Sequence, residues 1–115
     1  MKDKRLDNQE RLSQVQKAIN EIELFVSKAD VDDFAADSLI SSAVLFQFSV
    51  IGESVVHIDK VLLNKYEYPW YKVRAFRNLI SHEYFQIDLR LVWEVIVKDL
   101  PDLKVIINRI LEEEF

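Results

Sequence analysis

Ser38-Leu39-Ile40-Ser41-Ser42-Ala43-Val44-Leu45-Phe46-Gln47-Phe48-Ser49-Val50-Ile51-Gly52 is apolar around almost its whole helical circumference. Leu39, Ile40, Val44, Leu45, Phe46, Phe48, Val50 and Ile51 leave no polar stripe wide enough for a surface helix. A helix of this kind is enclosed on most sides, in the centre of a bundle or across a subunit interface. The stretch therefore predicts a long buried helix, over about residues 38–64, with the other elements packed around it. Gly52 lies inside it. An interior glycine costs about 1 kcal/mol relative to alanine, so close packing of a neighbour is expected there.

Upstream, Leu12, Val15, Ile19, Ile22 and Val26 recur at steps of three and four, which predicts one amphipathic helix over residues 3–28. Residues 30–37 form a polar connection, with Asp30 or Asp32 as a cap and Phe34 as an inward plug. Downstream, Tyr66-Glu67-Tyr68-Pro69 is a break, and Pro69 suits the first turn of a new helix over residues 70–85. Asp88 caps a fourth helix with Leu89, Val92, Trp93 and Ile96 inward. Asp99-Leu100-Pro101 is expected to interrupt it, and Leu103, Ile106, Ile107 and Ile110 mark a last amphipathic helix. Four to five helices with short connections read as an all-α, up-and-down bundle forming a single domain over residues 1–115.

Composition agrees. The 115 residues include one glycine and two prolines, too few turn formers for an all-β fold. With no cysteine there is neither a disulfide framework nor a thiolate metal site. The start, MKDKRLDNQERL, is too charged for a secretory signal, and the continuous apolar runs fall short of a membrane span. A cytoplasmic protein with no membrane contact is expected. The net charge of −5 argues against a general nucleic-acid binder. Its distribution is uneven, however: between residues 60 and 77, Lys60, Lys65, Lys72, Arg74 and Arg77 face a single acid, Glu67. A local basic patch on an acidic body is compatible with one phosphate-bearing substrate.

The chemistry concentrates in Arg77-Asn78-Leu79-Ile80-Ser81-His82-Glu83-Tyr84-Phe85. On an ideal helix Trp70, Val73, Phe76 and Ile80 face the core, and Arg77, Ser81 and Tyr84 line its edge. Asn78, Leu79 and His82 point away. Arg77 and His82 lie about 140° apart, so they converge only through arginine's reach, an irregular last turn, or a second copy of the helix. The outward Leu79 favours the second copy, and with it a homodimer. Spacing alone leaves plainer roles open. A histidine near a helix C-terminus can simply oppose the helix dipole. Arg77 can be an ion-pair partner, for instance of Glu53, and Tyr84 a core-edge tyrosine with a wet hydroxyl. His57 reads as a surface histidine.

Arg77-Asn78, His82 and Tyr84 together resemble the R-x4-H-x-Y signature of the HEPN superfamily, in particular its HepT-like branch. Ile51-Gly52-Glu53 resembles the IGE segment of that family's central helix, Pro69-Trp70 precedes the motif, and Ile87-Asp88 follows it. Ala75 and Gln86 stand where relatives often have glycine, which implies a straighter motif helix. The resemblance implies a homodimer with the motif in a cleft at its interface. It also implies a toxin of the toxin–antitoxin kind that cleaves RNA without metal or other cofactor. Arg77 and His82 would be catalytic, with Asn78, Arg74, Lys72 and Ser81 supporting them or binding RNA. RNA carries its own nucleophile, the 2′-hydroxyl; histidine exchanges protons near neutral pH, and arginine offers a charged fork to phosphorane oxygens. The implied partner is a minimal nucleotidyltransferase antitoxin that silences the toxin by attaching AMP to Tyr84. Two other classes compete: a non-catalytic module binding nucleotide or RNA through Lys72, Arg74 and Arg77, with Tyr66, Tyr68 or Tyr71 as stacking faces, and a helical bundle that docks another protein. A pure binding module has no need of His82.

Overall fold

The computed structural model describes residues 3–115, so the first two residues of the expected domain, and of the charged start, lie outside the described part. Helix α1 runs Lys4–Phe25, with the Asp3 carboxylate accepting from the Arg5 backbone N–H. Its buried stripe is Asn8, Leu12, Val15, Ala18, Ile19 and Ile22, as the three–four spacing predicts. Asp30 and Asp33 then form a reciprocal capping box at the start of α2, Val31–Ala36. Phe34 on α2 is fully buried and packs its ring against Trp93, centroids 5.5 Å apart.

Asp37 closes α2 and opens α3, Ser38–Val56, accepting from the Leu39 and Ile40 N–H groups at 2.9 and 3.3 Å. Helix α3 ends eight residues short of the expected boundary at residue 64. At the break Asp59 adopts extended backbone, its side chain caps α4 (Lys60–Leu63), and its N–H donates to the buried Asn8 side chain at 3.0 Å. Two polar anchors thus outweigh continuation of the helix. Ile58 turns inward at the corner. The enclosure of α3 is also incomplete: Val44, Leu45, Phe48 and Ile51 are buried, whereas Leu39 is 79% and Phe46 64% exposed. By length and composition α3 could cross a membrane, which its short continuous runs do not suggest. Its buried Ser41 and Ser54 and its packing against neighbouring helices are those of a core helix.

Helix α5, Trp70–Glu83, follows Pro69 and stops two residues before the expected 85. Trp70 anchors its start: the indole N–H donates to the Leu63 carbonyl at 3.1 Å. Phe48 and Phe76 meet edge to face, centroids 4.9 Å apart, and join α5 to α3. Such a pair adds about 0.5–1.5 kcal/mol beyond the area it buries. Leu79 is half-buried beside α3 and does not stand free on the outer face.

Asp88 caps α6, Leu89–Glu94, as expected. The interruption at Asp99-Leu100-Pro101 does not occur. A π-helical stretch, Val95–Asp99, carries the chain directly into α7, Leu100–Glu114, with the Leu100 N–H bonded to the Val95 carbonyl five residues back. Pro101 has no N–H to donate and its ring crowds the preceding turn, and the wider π turn absorbs both. Leu103, Ile106, Ile107 and Ile110 are buried along α7. α3 packs between α1 and α5, α7 covers α1, and α2 closes the end against α3 and α6. Among the described residues there is no strand, and the bundle is all-α. One apolar core runs from Leu12 through Ile51 to Ile110.

Candidate functional site

Gly52 decides where Arg77 lies. Helices α3 and α5 approach so closely there that an added Cβ would stand 2.6 Å from Arg77 Cγ and nearer still to Arg77 Cβ. The expected close packing is therefore specific: it seats the arginine stem. From that seat Arg77 Nη2 donates to Glu53 Oε2 at 2.6 Å, and Nη1 donates to Asn78 Oδ1 at 3.1 Å. The second Glu53 oxygen, Oε1, accepts from His57 Nε2 at 3.0 Å, one helical turn on. Glu53 thus links Arg77 to His57. The hydrogen bond from His57, then the hydrogen bond and charge of Arg77, hold its carboxyl below the ordinary 4.5.

This chain of three lies beside a cleft of about 550 Å³ over α3, walled by α1 and α5 and lined by Arg11, Gln14, Ser49, Val50, Glu53, Ser54, Arg77 and Ser81. The structure brings Arg77, Asn78 and Ser81 together. It does not bring His82 to them: His82 is exposed on the last turn of α5 and has no hydrogen-bond partner among the described residues. Tyr84 follows the helix at 43% exposure, its ring edge-on to Phe85, which is 97% exposed. Arg74 is exposed and does not line the cleft. Lys72 lies on the rim of a different, apolar groove between α5 and α7, floored by Phe48, Ile51 and Phe76. Among the described residues no three His, Cys, Asp or Glu side chains cluster as a metal site.

Arg11, Gln14, Ser49, Ser54 and His57 had no assigned part in this site in the sequence reading. Arg11 and Gln14 come from α1, far from the motif in the chain, and no local pattern marks them. His57 had a signal in its i, i+4 spacing from Glu53, which puts the two on one helical face. The exposed Leu39 and Phe46 lie fourteen and seven residues before Glu53, on the same stripe of α3.

Against known proteins, residues 15–110 match the family model described as ribonuclease HepT-like. A protein of Thermococcus cleftensis, provisionally named ribonuclease HepT, is 31% identical over 81% of this chain and 86% of its own length. A provisionally named RNase of Caldanaerobacter subterraneus subsp. tengcongensis is 32% identical over 72% of this chain and 75% of its own. A protein of Methanocaldococcus jannaschii, whose name joins a gamma-glutamylcyclotransferase to a provisional RNase, is 33% identical over 89% of this chain, which spans 46% of that protein. No solved structure matches.

Proposed function

Since the chain belongs to the HepT-like ribonuclease family of the HEPN superfamily, we propose that it is an RNA-cleaving toxin that works as a homodimer, without a metal ion, through Arg77 and His82. The observation that carries this reading is the placement of Arg77. It is half-buried, fixed by Gly52 and Glu53 beside a polar cleft, with an unpartnered His82 on the last turn of the same helix. A guanidinium held at one point is prepared to stabilise charge that develops on a phosphate. An exposed imidazole is free to exchange protons.

Within one chain the two side chains leave α5 in different directions, so the reacting phosphate sits where two copies of α5 face each other. Leu39 and Phe46, exposed on the stripe of α3 that leads to Glu53, and Phe85 at the end of α5 supply the apolar contact between the copies. In the reaction one His82 takes the proton of the ribose 2′-hydroxyl. The 2′-oxygen forms a bond to phosphorus, and the bond to the 5′-oxygen breaks. That oxygen leaves with a proton from the second copy's His82, and the other product ends in a 2′,3′-cyclic phosphate. Arg77 holds the phosphorane oxygens meanwhile, with Asn78 and Ser81 beside it.

Tyr84 is the off-switch. It is partly exposed at the end of α5, and its hydroxyl has no partner among the described residues. A nucleotidyltransferase antitoxin transfers AMP from ATP to that hydroxyl, the new bond from the tyrosine oxygen to the α-phosphorus displacing pyrophosphate, and so places a charged phosphodiester where substrate enters. Tyr84→Phe keeps nuclease activity and escapes silencing.

A second reading has its own observation. The 2.6 Å bond to Glu53 already engages Arg77, as in a structural pair within a non-catalytic binding module. Incubating a single-stranded RNA with the purified protein in the presence of chelator separates the two. The nuclease yields cyclic phosphate ends, and His82→Ala or Arg77→Ala slows it on the order of a hundredfold or more. Cleavage that persists unchanged in His82→Ala, or that chelator abolishes, would sink the first reading.

A further inference from the structure

Arg11 stands half-buried on α1, across the cleft from Arg77. In a chain with 20 acidic and 15 basic residues it nevertheless has no ion pair or hydrogen bond among the described residues. Some long basic side chains elsewhere find partners, Arg90 with Asp32, Lys104 with Glu23, Arg109 with Glu113. Those without one among the described residues, such as Lys72, Arg74 and Lys98, are exposed, whereas Arg11 is half-buried. The cleft thus holds two guanidiniums against one carboxylate, and that carboxylate is already shared by Arg77 and His57. It is a positive concavity on an acidic body.

The neutral groups in the wall are set for an acceptor. Ser54, only 3% exposed, donates its hydroxyl to Gln14 Oε1 at 3.2 Å. That bond fixes the amide so that its NH₂ is left to donate elsewhere. The Ser49 hydroxyl donates back to the Leu45 carbonyl at 3.1 Å, and the exposed Ser81 adds a second free donor. Val50 gives the floor an apolar strip. A volume near 550 Å³ falls in the range of about 300–1,000 Å³ usual for small-ligand sites, room for one nucleotide unit.

We propose that this cleft is a second phosphate subsite, in which Arg11 and the Gln14 amide hold the RNA backbone phosphate adjacent to the one at Arg77. The proposal rests on the reading of the chain as acting on RNA, and it adds α1 to the substrate path. Phosphate contacts of this kind fix the register of a strand without reading its sequence. Arg11 is therefore a positioning residue, and its loss weakens binding of every sequence alike.

The test measures binding of an uncleavable 2′-fluoro oligoribonucleotide by fluorescence anisotropy across a salt series. Arg11→Gln should weaken affinity about tenfold, the scale of one lost charge-assisted hydrogen bond. It should also flatten the salt slope by about 0.7, the value for one phosphate contact on a single strand. Arg11→Lys should recover the slope and part of the affinity, and Lys98→Gln, on the π turn away from the cleft, should change neither. Circular dichroism checks that each variant folds. Unchanged affinity and slope in Arg11→Gln, with both reduced in Arg77→Gln, would overturn the subsite and leave the nuclease reading standing. Strand binding that depends on Arg11 without cleavage by the wild type would do the reverse. A mononucleotide that binds through Arg11 while the strand is indifferent to it would assign the cleft to free nucleotide and overturn the proposal.

Discussion

Replacing Gly52 by alanine puts a methyl group into space that Arg77 Cβ and Cγ already occupy. Either the helices part or the arginine stem moves, and overpacking of this kind costs about 1–3 kcal/mol. Gly52→Ala should unfold at lower denaturant and cleave RNA more slowly than a surface control, which paired denaturation and cleavage assays would show. Equal behaviour in both would remove Gly52 from the site. Glu53 supplies a pH signature. Its folded value is lowered, so the stability it contributes is present above its ordinary 4.5 and is lost as pH falls through the lower folded value. Glu53→Gln should therefore melt below the wild type at pH 7, with the gap closing only at pH values under 4.5. A gap that stays constant down to pH 3 would mean that the charge of Glu53 does nothing for Arg77. The Arg77–Glu53 pair and close packing at Gly52 were each open to the sequence reading, but that the neighbour packed on Gly52 is the Arg77 stem was not. Nor was Arg11: its part in the cleft depends on how α1 lies across α3, which no local spacing records.

Among the elements, Asp37 has the most concentrated role. It closes α2 and caps α3 as the single residue between the two helices. Asp37→Ala should cost about 1 kcal/mol, a typical cap loss, while Asp37→Asn should cost much less. Equal losses in the two variants, measured by denaturant unfolding, would show that charge rather than capping matters there. The helices were readable wherever an apolar stripe ran between caps, as in α1 and α6, whereas α2, with Phe34 alone buried, fell in a stretch read as a polar connection. The end of α3 was not readable either. The stripe continues toward Leu62 and Leu63, and only the tie between Asp59 and Asn8, 51 residues away, turns the chain. Pro101 misled in the opposite way. Proline ends most helices by its missing N–H and its ring, but a wide turn five residues earlier removes both objections here.

For the whole molecule, the exposed Leu39, Phe46 and Phe85 set the expectation. If two copies meet across α3 and α5, Phe46→Glu should yield a folded monomer in sedimentation velocity that has lost RNA cleavage, since each half-site then lacks its partner. A wild type that sediments as a monomer at micromolar concentration would exclude the arrangement. Leu79, read as pointing to a second copy, is half-buried against its own chain, whereas Phe46, on a helix read as enclosed in the bundle centre or across a subunit interface, stands in solvent.

The π turn at Val95–Asp99 also works as a vernier between the two ends of the last helix. A π turn holds about one residue more than an α turn, so it shifts the phase of everything beyond it by that residue's rotation. Upstream, Val92 is buried and Trp93 packs on Phe34; downstream, Leu103, Ile107 and Ile110 are buried along the side that covers α1. Removing Val97 should let the stretch relax to ordinary α-helix with its content intact by circular dichroism. Because the π turn had absorbed that residue, α7 should keep its facing relative to α6, whereas one more inserted residue, left unabsorbed, would swing α7 by about 100°, so that either Phe34 or α1 loses its cover and the cooperative melt broadens. A deletion here is therefore silent in packing, and an insertion is a rotation rather than a length change.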